Sequence, residues 1–206
     1  MLIIAISGGS ASGKSSIAAD LKQQFLQLDR QVELLCEDHY YKPLTQHQLN
    51  NIKDVDFDHP HSIDNELMTE QLKSLTELNS IEIPNYCYQT HMRLADTSTL
   101  KPTEFLIVEG LHLLHRTSLL PFYDLSIFVE SPLEVCLERR IKRDVSERNR
   151  TEASVLHQFY STVKPSYEEF IYPSKSNAHL VLDGTRPITA SCNDILSHHK
   201  VKSLIE

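Results

Sequence analysis

Leu2-Ile3-Ile4-Ala5-Ile6-Ser7-Gly8-Gly9-Ser10-Ala11-Ser12-Gly13-Lys14-Ser15-Ser16 is an unbroken apolar run that enters a loop of very small residues. From Gly8 to Ser15 the loop reads G-x-x-x-x-G-K-S, the spacing of a phosphate-binding loop. Glycine at both ends admits positive φ and lets the backbone come close to a ligand, so successive N–H groups can point at phosphate oxygens. Ile17, Ala18, Leu21, Phe25 and Leu28 then recur at helical spacing. A helix therefore begins near Lys14 and turns its positive end toward the same anion. In this motif the lysine reaches the β- and γ-phosphates and the serine hydroxyl holds Mg²⁺. Gly8, Gly9, Ser10, Ala11, Ser12, Gly13, Lys14, Ser15 and Ser16 are thus the expected contacts of ATP or GTP. A Gly/Ser-rich surface loop is the plainer reading, but it leaves the strand before and the helix after unexplained.

Strands and helices alternate outward from this loop. Gln31-Val32-Glu33-Leu34-Leu35-Cys36 reads as a second strand ending in Glu37-Asp38. Asp64 is placed to cap a helix whose stripe is Leu67, Met68, Leu72, Leu75 and Leu78. Phe105-Leu106-Ile107-Val108, closed by Glu109-Gly110, and Leu125-Ser126-Ile127-Phe128-Val129 are further buried strands. Ser131-Pro132-Leu133-Glu134 carries the signature of a capping box with proline at the first helical position. Leu133, Leu137, Ile141 and Val145 give the helix that follows an apolar line. Pro165 should kink or interrupt a long helical stretch from about 151 to 172. His179-Leu180-Val181-Leu182 makes a fifth strand, and the tail from Ile188 reads as a terminal helix. Such alternation predicts an α/β fold: a mostly parallel five-stranded sheet with helices on both faces, ligands lying beyond the carboxyl ends of the strands. Asp38 and Glu109 both fall at that edge. Residues 80–101 break the pattern and read as a β-hairpin-like insertion over the site, with Pro84 at an edge or a break.

The 206 residues form one expected domain, 1–206. A net charge of −8 argues against a nucleic-acid partner, and the short apolar start, lacking a basic flank, is neither a signal peptide nor a membrane anchor. Cys36, Cys87, Cys136 and Cys192 form no C-x-x-C pair, so neither zinc nor disulfides are expected, and a reducing cytoplasm fits. The histidine pairs His59/His61, His112/His115 and His198/His199 lack further ligands at metal spacing.

Several motifs in order along the chain resemble the uridine kinase family of P-loop kinases. These are Gly8 to Ser15, Asp38-His39-Tyr40-Tyr41-Lys42, Phe57-Asp58-His59-Pro60, Asp64-Asn65-Glu66-Leu67, Pro84-Asn85-Tyr86 with Thr90-His91-Met92-Arg93, Glu109-Gly110, Arg139 to Arg148 and Tyr172-Pro173-Ser174-Lys175. The resemblance implies a P-loop kinase fold and transfer of the γ-phosphoryl group of ATP or GTP to the 5′-hydroxyl of uridine or cytidine. It also implies a homo-oligomer, a tetramer.

Phosphoryl transfer needs charge neutralisation, an in-line alcohol and a group to take its proton. Asp38 matches the family's catalytic acid, although a strand-end Asp also commonly caps a turn. Lys14 and Arg143 join it as expected catalytic residues. Glu109, with Ser15, looks like the family's metal-holding acid. Asp58 resembles the ribose-binding residue, and Tyr86 and His91 the pyrimidine pocket; on spacing alone, Tyr86 and Tyr88 would pack one face of the hairpin. The arginine-rich run over 139–158 resembles a lid, in which Arg140, Arg150 and Gln158 align with substrate contacts, and Arg143 and Arg148 with nucleotide contacts. As a bare charge run it would be a solvated helix face.

Three places depart from the family pattern. His39-Tyr40 stands where Ser-Phe is common, Asn149 where the lid has Gly, and Asp183-Gly184-Thr185-Arg186-Pro187 where a basic, glycine-containing run lies near the donor base. Asn tolerates left-handed backbone, so the lid turn should survive. Other acceptors remain open, namely a riboside such as nicotinamide riboside, pantothenate or a sugar phosphate, as does a regulator without turnover.

Overall fold

Residues on alternate sides of the first strand are committed to two different cores. In the computed structural model, which describes residues 1–52 and 55–206, the chain runs β1 (Leu2–Gly8), α1 (Lys14–Gln27), β2 (Val32–Cys36), α2 (Gln46–Asn50), α3 (Asn65–Thr76), β3 (Ile81–Cys87) and β4 (Met92–Leu100). It continues through β5 (Phe105–Gly110), β6 (Leu125–Glu130), α4 (Leu133–Glu147), α5 (Glu152–Gln158), α6 (Lys164–Ser166), β7 (Leu180–Asp183), α7 (Ile188–Leu196) and α8 (His199–Ile205). Five strands pair in parallel in the order β2-β5-β1-β6-β7. Ile3 and Ala5 face a core with Leu35, Met68, Leu72 and Ile171, while Leu2, Ile4 and Ile6 face Ile17, Leu21, Phe25 and Ile195. A strand buried on both faces must be apolar throughout, which is why β1 and β5 read as continuous hydrophobic runs. Helices α1, α7 and α8 cover one face; α3 and the helical stretch ending at Ile171 cover the other.

β3 and β4 form a separate antiparallel hairpin whose register shifts between Pro84 and Tyr86. Proline cannot donate to a ladder, so the slip falls where pairing is already lost.

Several local expectations are corrected. Ser131 does not cap α4: its hydroxyl donates to the Ser12 carbonyl at 3.0 Å, and Pro132 sits in the cap position with no side-chain cap. The buried face of α4 is Cys136, Arg140 and Asp144, not the apolar line, whose last member Val145 is 47% exposed. Leu78 leaves the α3 stripe because it follows the helix end at φ 63° and points to solvent, a position that usually goes to glycine. Leu28 lies past the end of α1 and is also exposed. Pro165 does not break its helix. The chain widens into π-helical segments, Phe159–Val163 and Tyr167–Ile171, on either side of α6, which re-pairs the groups that proline would orphan. The tail forms two helices, turning at Ser197 and His198. Among the described residues no helix is long and apolar enough to cross a membrane.

Candidate active site

β1 ends and α1 begins around a turn that only small residues can make. Gly8 and Gly13 lie at φ 154° and 107°, and a Cβ on Gly8 would stand 2.5 Å from the Val129 carbonyl. The loop is locked from outside as well. Ser131 and Arg139 both donate to the Ser12 carbonyl, and Arg139 also donates to the Gly184 carbonyl at 3.0 Å. Arg139 thereby ties the loop to the turn after β7.

The parallel register puts Glu109 between Ile6 and Cys36 at the carboxyl edge of the sheet. Its Oε2 accepts from the Ser15 hydroxyl and its Oε1 from the Cys36 thiol, each at 3.0 Å. Burial, with Asp38 and Glu109 nearby, pushes the Cys36 thiol well up, so it stays protonated. Asp38 follows on a 3₁₀ turn, Glu37–Tyr40, where its Oδ2 accepts from the Tyr88 phenol at 2.9 Å.

A cavity of about 690 Å³ lies against all of these. Ser10, Lys14, Ser15, Asp38, Asp58 and Glu109 line it from the sheet side, Tyr86 and His91 from the hairpin, and Arg140, Arg143, Arg148, Arg150 and Gln158 from the α4–α5 side. A second cavity, about 420 Å³, runs past Gly13, Ser16, Arg139, Gly184 and Arg186. The two share Lys14, Ser15 and Arg143. Of the residues singled out in the sequence, Gly8, Gly9 and Ser12 line neither cavity but belong to the loop's frame; Ala11 and Ser16 line the smaller one.

The hairpin side is aromatic. Tyr41 packs on Phe57 and Tyr86, with ring centroids 5.9 and 5.0 Å apart, and His91 stacks on Phe57 at 4.7 Å. His91 sits in the hairpin turn at φ 55°. Burial, then Arg148 and Arg150, push its imidazole down, so it is neutral at pH 7. Asp58 is buried and its carboxyl is pushed up by that burial, against the pull of Arg140 3.8 Å away. Its backbone is held from behind, since His112 Nε2 donates to the Asp58 carbonyl at 2.8 Å.

The arginines are organised by a residue that sequence reasoning missed. Asp144 is fully buried and faces Arg140 at 3.6 Å, Arg143 at 2.8 Å, Arg148 at 3.7 Å and Arg150 at 3.3 Å. The signal was available as an acid inside a basic run, four residues from Arg140 and from Arg148. Gln158 Oε1 accepts from both Arg140 and Arg150, and Arg140 also donates to Ser10 at 2.7 Å. Asn149 adopts φ 52°, the left-handed geometry expected of it. The His39-Tyr40 departure is structural: Tyr40 is buried with its hydroxyl on Gln71, and His39 Nδ1 donates to the Pro84 carbonyl at 2.8 Å. That bond fastens the hairpin to the end of β2. In the Asp183–Pro187 departure, Asp183 accepts from the Thr185 amide and hydroxyl, and Arg186 pairs with Asp194.

The model of the phosphoribulokinase/uridine kinase family matches residues 3–189. A uridine kinase of Vibrio atlanticus (strain LGP32) is 37% identical over 207 aligned positions, covering 98% of this chain and 96% of its own. A uridine kinase of Shewanella amazonensis (strain ATCC BAA-1098 / SB2B) is 40% identical over 184 positions, covering 88% and 86%. Phosphoribulokinase from Rhodobacter spheroides shares the fold, with a TM-score of 0.64 at 15% identity over 91% of this chain and 73% of that one. With a matching family model over nearly its whole length, the chain belongs to the phosphoribulokinase/uridine kinase family.

Proposed function

We propose that the protein is a uridine kinase, transferring the γ-phosphoryl group of ATP or GTP to the 5′-hydroxyl of uridine or cytidine. The observation that carries this reading is the junction of two cavities at Lys14, Ser15 and Arg143. A triphosphate spanning that junction would keep its base in the smaller cavity and present its terminal phosphate to the larger one. The names of the relatives support uridine as acceptor, and so does the wall of Tyr41, Phe57, Tyr86 and neutral His91, which suits a flat, uncharged base.

Backbone N–H groups of the loop and the N-terminus of α1 cradle the phosphates, and Lys14 reaches the transferring group. Ser15 and Glu109 offer two hard oxygens 3.0 Å apart, a donor set that fits Mg²⁺. Bound there, the ion would neutralise charge on the β- and γ-phosphates. Asp58 accepts hydrogen bonds from the ribose hydroxyls, Tyr86 packs on the base and His91 reads its edge. Arg140, Arg150 and Gln158 hold the acceptor side; Arg143 and Arg148 hold the nucleotide side. Asp38 takes the proton of the 5′-hydroxyl as that oxygen bonds to the γ-phosphorus, and the bond to the β–γ bridging oxygen breaks. Closure of the arginine-bearing segment keeps out water, the competing acceptor.

A coupled assay offering ATP and GTP against uridine, cytidine, thymidine and nicotinamide riboside tests the reading. Turnover of uridine or cytidine is expected. No turnover of either, with clear turnover of another acceptor, rejects it.

A further inference from the structure

Tyr88 lies in the hairpin turn, outside the phosphate loop and outside the residues assigned above to base, ribose or nucleotide. It nevertheless touches three parts of the site. Its phenol donates to Asp38 Oδ2 at 2.9 Å, the Arg148 guanidinium carbon lies 4.7 Å over its ring, and the Tyr86 ring meets it edge-on at 5.3 Å. Partial burial, with 43% of the residue still exposed, and then the neighbouring Asp38 carboxylate push the phenol's pKa up, so it remains a donor at neutral pH. With Oδ2 held in this way, Oδ1 is the oxygen left to accept from an acceptor alcohol. An Asp side chain at a strand end has a broad, easily turned carboxylate torsion, and a bond to an ionised acceptor is stronger than a neutral one. Cation–π attraction then makes the position of the ring depend on Arg148.

We propose that Tyr88 is a positioning residue: the hydrogen bond from its phenol orients the Asp38 carboxylate for proton abstraction, and Arg148 stacked on its ring links that orientation to closure of the arginine segment. The inference rests on the phosphoryl-transfer reading above, and its test separates the two.

Tyr88→Phe keeps the ring and removes only the donor. With uridine and ATP it should lower kcat on the order of 10-fold while leaving both KM values within about twofold, since alignment rather than binding is lost. Tyr88→Leu, which removes the ring too, should lose more in kcat than Tyr88→Phe and raise the KM for ATP, because Arg148 loses its seat. Wild-type kcat in Tyr88→Phe overturns the proposal, as does a change confined to the KM for uridine, which would make Tyr88 a packing residue for the base. Turnover that survives Asp38→Asn instead removes the reading on which the proposal stands.

Discussion

Helices α1 and α4 each follow a strand of the same sheet and each press against the phosphate loop, but different forces hold them. α1 buries Ile17, Ala18, Leu21 and Phe25, with Phe25 stacked on Phe105 at 4.2 Å. α4 fully buries Cys136, Arg140 and Asp144, while its apolar line is at most half-buried and ends in the exposed Val145. Apolar burial is not directional and nothing in a charged ligand competes with it, so it suits the part that must stay put. Ion pairs can be exchanged for phosphate oxygens. Arg143, Arg148 and Arg150 keep 26–33% of their side chains exposed while paired with Asp144, which suits the closure proposed above. α1 is held by apolar burial and α4 largely by charge.

Substitutions can break that contrast, beginning with the largest effect. Phe25→Ala should cost about 3–5 kcal/mol of unfolding free energy, measured by denaturant titration, while the folded fraction keeps wild-type KM values. Asp144→Asn should cost less stability, about 2–3 kcal/mol, because solvent reaches the arginines it leaves unpaired. Its larger effect should be kinetic, with higher KM for both substrates in steady-state assays. If the Phe25 variant instead loses affinity and the Asp144 variant does not, the contrast is wrong.

A third change sits behind Asp38. Glu37 is buried, accepts from the His112 amide at 2.9 Å, and burial pushes its carboxyl up to about 7. Its folded pKa exceeds the ordinary value, so the stability it contributes is complete below about pH 4.5 and is lost as pH rises to about 7. His112 works in the opposite sense: burial holds its imidazole down to about 3, and its contribution is lost as pH falls below 6.5. Glu37→Gln should therefore melt like wild type near pH 4.5 and gain about 1–3 kcal/mol by pH 8, read from melting curves across that range. The smallest effect belongs to Val145→Ser on the outer face of α4, which should change stability by less than about 0.5 kcal/mol.

The sheet and the loop were legible because burial on both faces leaves an uninterrupted apolar signature, and because a turn with φ values of 154° and 107° selects glycine. The face of α4 was not. Periodicity finds the apolar line Leu133-Leu137-Ile141-Val145, but the helix turns Cys136, Arg140 and Asp144 inward, since its neighbour is a polar cleft rather than a core. The capping pattern at Ser131 failed for a related reason, because a long-range acceptor, the Ser12 carbonyl, claimed the hydroxyl. The candidate residues were gathered by motif, and most of them line one cavity. Asp144 and Tyr88 escaped because each acts on other side chains, and such pairings depend on chain segments that only folding brings together.

The central claim is that Asp38 takes the acceptor's proton within reach of a triphosphate held by the loop. Steady-state turnover of Asp38→Asn, with nucleotide affinity measured alongside, tests it most directly. Turnover should fall about 10²–10⁴-fold with ATP bound as tightly as in wild type; turnover near the wild-type rate would contradict the claim.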